Sequence, residues 1–291
     1  MNCSNQKKNL IVLIICFGFF TVSGSGEEKF ELKINPHPVS TVSGAAFARS
    51  IETLELEERE TEILEKVRAG NIPSFLKNLV PVETVADIGQ KRYALTFFVM
   101  PDYLSIGSDM DHFQMPMTPM LAQKIADELG GILPTRKMVD LIWDAAALKL
   151  TPQPIPPSPD MVTMGVFLDH NDLVLASRMA AIEKYPLGSL VSGTQKDIII
   201  SNRLASKPDK VIIYGWHHPN GEPIQPLYSG HVNWYTDYSH GVRVVLNKCI
   251  LNDSATTIEQ ILSDPVLHQL ISDENGPMET THYDTSWSNY P

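Results

Sequence analysis

The spacing of apolar residues changes along the chain, and each spacing points to a different element. An unbroken apolar run, Leu10 to Val22, follows a short polar start that carries Lys7 and Lys8. Small residues, Ser23 to Gly26, come next, and then Glu27 and Glu28. A positive start, about a dozen apolar residues and a small-residue exit is the layout of a secretory signal. The run is shorter than the roughly 20 residues of a membrane-crossing helix. Residues 1–26 are therefore expected to be an export signal, with no integral membrane span left after processing and a secreted, periplasmic or cell-envelope destination.

Residues 27–49, with Pro36 and Pro38, read as an extended leader. From Ser50 the spacing becomes helical as far as Gly70, with an acidic first half, Lys66 and Arg68 in the last turn and a glycine stop. Its acidic run from Glu57 to Glu60 reads as a solvated helix face. Arg92 to Met100 is β-rich and closed by Pro101, a strand signal. Thr118-Pro119 has the form of an N-cap followed by a first-turn proline, opening a helix that Gly130 stops. Thr135 caps a second helix predicted to run to about Leu150, with Met138, Leu141, Ile142 and Ala145 on one face. Its first turn carries Arg136 and Lys137, which oppose the helix dipole and call for an anionic partner or full exposure. Five prolines from Pro152 to Pro159 form a semi-rigid connector, and a helix is predicted over about 172–184.

The next region alternates short β-branched runs with turn residues: Leu187–Ser192, Asp197–Ser201, Lys210–Trp216 and Gly241–Leu246. Their connections are too brief for crossover helices, so the sheet should be largely antiparallel. A last helix is expected from Ser254 or Thr256 to about Ile271, and residues 274–291 as a loose tail. Helices first and strands later give one α+β domain over residues 50–273.

Composition narrows the function classes. The 291 residues are 43% hydrophobic and 20% charged, as in a globular protein. With 23 basic and 34 acidic residues the formal charge is −11, and loss of Lys7 and Lys8 with the signal makes it −13. Such a chain has no general electrostatic reason to bind nucleic acid. Neither a Gly-x-Gly-x-x-Gly nor a Gly-x-x-x-x-Gly-Lys-Ser/Thr motif is present, so no nucleotide is expected as partner. Cys249 alone of 3 cysteines lies outside the expected signal, so no intrachain disulfide framework exists in the body of the protein and Cys249 reads as a buried strand-end residue.

Histidine is the concentrated residue: four of nine lie between positions 217 and 240. The segment from Trp216 to His240 leaves one strand and enters another, and long polar loops held by a rigid sheet commonly carry function. One reading makes His240 the acid or base of a hydrolase, with Asp237 fixing its tautomer and His231 and His218 as electrostatic partners. Water is the expected nucleophile. Adjacent Ser239 and His240 point to opposite sides of a strand, and the Gly-x-Ser-x-Gly elbow is missing. A second reading makes His218, His231, His240 and Asp237 ligands of a divalent metal such as zinc, although their spacing matches no compact zinc signature. Trp216, Tyr238, Arg243 and Lys196 are the expected substrate-positioning residues, Lys196 because its strand start can reach the same sheet end as His240. The helix after Thr135 is a candidate for the other wall. The aromatics of this segment suit the C–H faces of sugar rings, which points to an extracellular polymer such as peptidoglycan or polysaccharide. A non-enzymatic glycan- or protein-binding module with a structural His-rich loop is the alternative.

Overall fold

The strongest strand signal lies at the centre of the main sheet of the computed structural model, which describes residues 29–38 and 41–286. The strand Lys91–Val99 pairs along its whole length with Val80–Ile88, an antiparallel partner that the sequence pattern did not single out. Pro81 is tolerated there because this strand has a neighbour on one side only. The other edge of Lys91–Val99 receives Lys248–Leu251 and Val245–Leu246. Ser254–Thr257 and Gly131–Ile132 extend the sheet to six strands, all antiparallel.

A second sheet has the order Pro223–Tyr228, Ile213–His217, Lys196–Ile198, His240–Gly241. The architecture is the expected α+β, largely antiparallel in its sheets. Two parallel pairings break the rule: His240–Gly241 with Lys196–Ile198, and Leu148–Lys149 with Val191–Ser192. The first follows from chain path, since Gly241 is reached by a long excursion instead of a hairpin. It places Lys196 opposite His240.

Helix ends follow their caps where the cap residue was identified. Thr118 accepts a hydrogen bond from the Leu121 amide, and Gly130 ends the helix Pro119–Leu129 at φ 73°. Thr135 likewise caps Arg136–Ala145, but that helix stops short of Leu150 because Leu148–Lys149 is taken into strand pairing. Arg136 and Lys137 do find compensation there. Arg136 pairs with Asp273, and Lys137 donates to the Gln269 carbonyl.

Elsewhere the boundaries differ. Ser50 closes a short helix, Gly44–Ser50, and the acidic helix runs over Leu56–Arg68 instead. Within it Glu60 is not solvated but 1% exposed, accepting from the Thr118 amide and hydroxyl at 2.6 and 2.7 Å. A carboxylate from one helix thus anchors the N-cap of another. The helix expected over 172–184 begins earlier, as Met164–Ala180. The last helical stretch is split into Ile258–Ser263, opened by a Thr257–Gln260 capping box, and a single turn at Leu267–Leu270.

The expected ends of the domain also shift. Phe47 and Ala48 are fully buried and the Lys33 amide bonds to the Leu129 carbonyl, so the leader region packs onto the core. After Asp273 the chain is held down: Glu274 accepts from Ser201, and the Tyr283 hydroxyl, 5% exposed as a residue, reaches the Ile199 carbonyl at 2.6 Å. Cys249 is buried, and burial pushes its thiol up to about 12, out of the range of a reactive thiolate. Among the described residues no helix is long and apolar enough to cross a membrane. The expected export signal, and residues 287–291 of the tail, lie outside the described residues.

Candidate functional site

The segment between Trp216 and His240 is a hairpin followed by a folded cover. Ile213–His217 turns back through 218–222 into Pro223–Tyr228, with the bonds His218 N to Glu222 O and Gly221 N to His218 O, both 2.9 Å. Trp216 has φ 57°, an uncommon conformation for a bulky residue, immediately after Gly215 at φ 102°. Beyond Tyr228 the chain returns over the sheet and delivers Asp237, Ser239 and His240 beside Lys196.

These four residues are all buried, at 2%, 1%, 1% and 6% exposure. Lys196 Nζ lies 2.8 Å from Asp237 Oδ2, which also receives the Tyr235 hydroxyl at 3.2 Å. The other oxygen, Oδ1, accepts the Ser239 amide at 3.0 Å and the Ser239 hydroxyl at 2.7 Å. Burial works against the carboxylate, but the attraction of the His240 ring when it is protonated, the Lys196 ammonium and these donors outweigh it and hold Asp237 well below the usual range. The Asp237 backbone amide donates to His240 Nδ1 at 3.0 Å. The ring proton of neutral His240 is therefore assigned to Nε2, an atom with no hydrogen-bond partner among the described residues. Burial lowers the His240 pKa to about 3, the Asp237 attraction only partly opposing it.

This arrangement corrects two expected roles. The tautomer of His240 is set by the backbone of Asp237, not by its carboxylate, which instead holds Lys196. A ring whose Nδ1 lone pair is occupied and whose pKa is about 3 is a hydrogen-bond donor at neutral pH, not a base. His231 is half-buried and stacks on Tyr235, centroids 4.0 Å apart, while Tyr235 meets His240 edge-on at 5.8 Å. The His231 pKa is lowered by burial and by Lys196. His231 and Tyr235 thus form the cover of the cluster and its route to solvent.

His218 does not join the cluster. It is exposed on the hairpin turn, where Pro219 and Asn220 carry the chain out from the sheet. Among the described residues no group of three His, Cys, Asp or Glu side chains is placed to hold a metal ion, so the expected four-ligand set is not assembled.

Nor do Tyr238 and Arg243 present polar groups to a ligand. The Tyr238 hydroxyl is engaged with both backbone groups of Ile155, pinning the proline-rich connector. Arg243 is 1% exposed, lies over the Tyr103 ring at 4.1 Å and donates to the Met100 and Val191 carbonyls at 3.1 and 2.8 Å. Trp216 is also buried; its ring packs edge-on against His170 and Tyr238, and its indole nitrogen has no partner among the described residues.

Several residues of this centre escaped the sequence reading. His170 Nε2 is a further unpartnered buried atom, and burial lowers the pKa of this ring to about 4. Its signal was the helical series Met164, Phe167, His170, Asn171, Val174 and Arg178, all buried, which puts an imidazole on an inward face. The opposite face of the Lys196 strand holds Asp197, which accepts the Tyr103 hydroxyl at 2.8 Å. Burial raises the Asp197 pKa to about 6, against the pull of Arg243 and Tyr103. Near it, His217 Nε2 and the Tyr214 hydroxyl meet Asp140 Oδ1 at 3.0 and 2.8 Å, so the helix Arg136–Ala145 does face the sheet, on this second side.

Compared with protein-family models, with curated proteins and with solved structures, the chain has no match. Its chemistry rests on the geometry alone.

Proposed function

We propose that the protein is an exported hydrolase whose reactive centre is the Lys196–Asp237–His240 cluster, acting on an extracellular polymer such as peptidoglycan or polysaccharide. One observation carries this reading. A lysine ammonium, an aspartate carboxylate and an imidazole with an unpartnered Nε2–H are buried together, Lys196 and His240 from two strands paired in parallel and Asp237 from the segment just before the second. Burying an ion pair seldom repays its desolvation in stability, so clusters of this kind are more readily explained by the chemistry they perform.

The roles follow from each environment. His231, the one histidine of the cluster with access to solvent, takes the proton of the attacking water. The Nε2–H of His240 and the Lys196 ammonium face the leaving oxygen, on which negative charge grows as its bond breaks, and the protonated His231 then returns the proton to it, in low-dielectric surroundings where donors act strongly. Asp237, held as a carboxylate, keeps Lys196 and the His240 ring in place. Substrate enters where the His231–Tyr235 stack closes the centre.

Turnover on purified peptidoglycan sacculi and on neutral and acidic polysaccharides tests the proposal. Removing a positioned acid–base group costs roughly 10²–10⁴-fold in rate. His231→Ala, at a half-exposed position, is expected to lose that much with its near-ultraviolet circular dichroism unchanged; His240→Ala is expected to lose at least as much. Wild-type protein that binds one of these polymers but never cleaves it would establish the non-enzymatic binding module instead. Stoichiometric zinc that His231→Ala releases would replace the acid–base scheme with a metal-dependent one.

A further inference from the structure

Trp234 stands at the rim of the same cover, 39% exposed, and lines two separate clefts. One, of about 290 Å³, lies between Trp234, Tyr235 and Thr236 on one side and Leu56 and Arg59 of the acidic helix on the other. Its neighbour, of about 240 Å³, is bounded by Pro208, Asp209, Asn233 and Asp284. Ligand clefts commonly range over about 300–1,000 Å³, so each of these is of a size for one ring-sized group.

Each cleft also has, among its lining residues, a buried side chain with one polar atom that lacks a hydrogen-bond partner among the described residues. Asn233, 3% exposed, leaves Oδ1 without a hydrogen bond, and Thr236, 4% exposed, leaves Oγ1 without one, among the described residues. Buried polar atoms of this kind are normally satisfied. Two ring-sized hollows sharing one indole match the repeat of a sugar chain, whose C–H faces stack on aromatic rings.

We propose that the two clefts are consecutive subsites for a neutral glycan chain laid across Trp234. Charge selects the chemistry. Asp209 and Asp284 border one subsite, on a chain of formal charge −11, and the helix wall of the other carries a single cation, Arg59. Carboxylates bond well to sugar hydroxyls and repel uronic acids and sulfated sugars. The Tyr235 subsite abuts the centre described above, because the Tyr235 hydroxyl bonds to Asp237 Oδ2. The assignment rests on the hydrolase reading for what happens to the glycan, but not for the binding itself.

Titration of the purified chain, followed by calorimetry and by the Trp234 indole N–H resonance, tests the subsites with cellohexaose, chitohexaose, their monosaccharides and polygalacturonate. Saturable binding of a neutral hexasaccharide is expected, at least tenfold tighter than its monosaccharide and than polygalacturonate. Trp234→Ala is expected to weaken it tenfold or more, and His218→Ala, on the exposed hairpin turn, to leave it within twofold. No saturable binding of either hexasaccharide, equal affinity for polygalacturonate, or an unchanged affinity in Trp234→Ala would each overturn the subsites. If the hexasaccharides bind at Trp234 and no polymer is ever cleaved, the subsites stand and the hydrolase reading falls. If a non-carbohydrate polymer is cleaved and no sugar binds, the reverse holds.

Discussion

The strand Lys196–Ile198 presents a buried ionic cluster on each of its faces, and the two are built on opposite principles. On one face Asp237 receives four hydrogen bonds, from Lys196, Tyr235 and the amide and hydroxyl of Ser239, and stays ionised. On the other face Asp197 receives the Tyr103 hydroxyl on Oδ2, while Oδ1 has no hydrogen bond among the described residues. Arg243 approaches Asp197 Oδ1 only to 3.9 Å, its terminal nitrogens being used on the Met100 and Val191 carbonyls. Both carboxyls are equally out of water. Burial raises Asp197 to about 6, whereas the positive charge and the donors gathered at Asp237 outweigh the same burial and keep it depressed.

The largest expected effect comes from breaking the face rich in donors. Asp237→Asn leaves the Lys196 ammonium buried without its counter-charge, and removing one member of a buried pair costs about 3–5 kcal/mol. Urea unfolding at pH 7 reads this directly. The double variant Lys196→Met with Asp237→Asn is expected to recover part of the loss, because no bare charge remains. A single-variant loss below about 1 kcal/mol would mean that the pair is not buried as a charge pair, and the contrast between the faces would disappear.

A smaller effect of opposite sign is expected from Asp197→Asn. With the folded pKa raised to about 6 from an ordinary value near 3.8, the folded state binds the proton more tightly than the unfolded chain. Stability therefore falls as pH rises from about 4 to 6, and the whole penalty is present at neutral pH. Two units correspond to at most about 3 kcal/mol, at roughly 1.4 kcal/mol per unit. Asn at this position removes the penalty, so Asp197→Asn is expected to be about 1–2 kcal/mol more stable than wild type at pH 7 and to converge on it near pH 4. Asp237 has the reverse linkage. Its folded pKa is depressed, so its contribution is complete above its unfolded value near 4 and is lost as pH falls below it. Stability of the two single variants measured from pH 4 to 7 separates the faces. If Asp197→Asn lies below wild type at pH 7, Arg243 depends on the Asp197 charge more than the 3.9 Å separation implies.

Why the sequence revealed one face and only part of the other is a matter of how each is assembled. Asp237, Ser239 and His240 are adjacent in the chain, so their proximity was local and readable. Lys196 could be placed at the same sheet end because strand starts converge there, and the register with His240 bears this out. The α+β architecture, the Thr118 and Thr135 caps and the burial of Cys249 were legible for the same local reason: cap chemistry and β-branched runs act within a few residues. Tyr103, Asp197 and Arg243 meet across long sequence separations, as do Glu60 and Thr118, and no spacing rule predicts such pairs. The roles assigned inside the cluster depended on atoms rather than residues. Nothing in the order Asp237-Tyr238-Ser239-His240 says that the backbone amide, not the carboxylate, takes His240 Nδ1.

The smallest expected effect concerns the histidine that adjacency misplaced. His217 and His218 look equivalent in the sequence, and His218 was the one grouped with His231 and His240. In the folded chain His217 is 3% exposed and bonded to Asp140, whereas His218 is exposed on the turn of the hairpin. Strand alternation requires this difference, since neighbouring residues leave a strand on opposite sides, and the turn then carries the second one outward. His218→Ala is accordingly expected to change stability by less than about 0.5 kcal/mol, the usual range for an exposed site, and to leave turnover unaltered. His217→Ala removes a buried ring and leaves Asp140 with only the Tyr214 hydroxyl, so it is expected to destabilise by roughly 1–3 kcal/mol. Parallel urea unfolding of the two variants makes the comparison. Equal losses would show that the 218–222 turn packs against the body of the protein, and a drop in the proposed turnover in His218→Ala would restore that residue to the proposed centre.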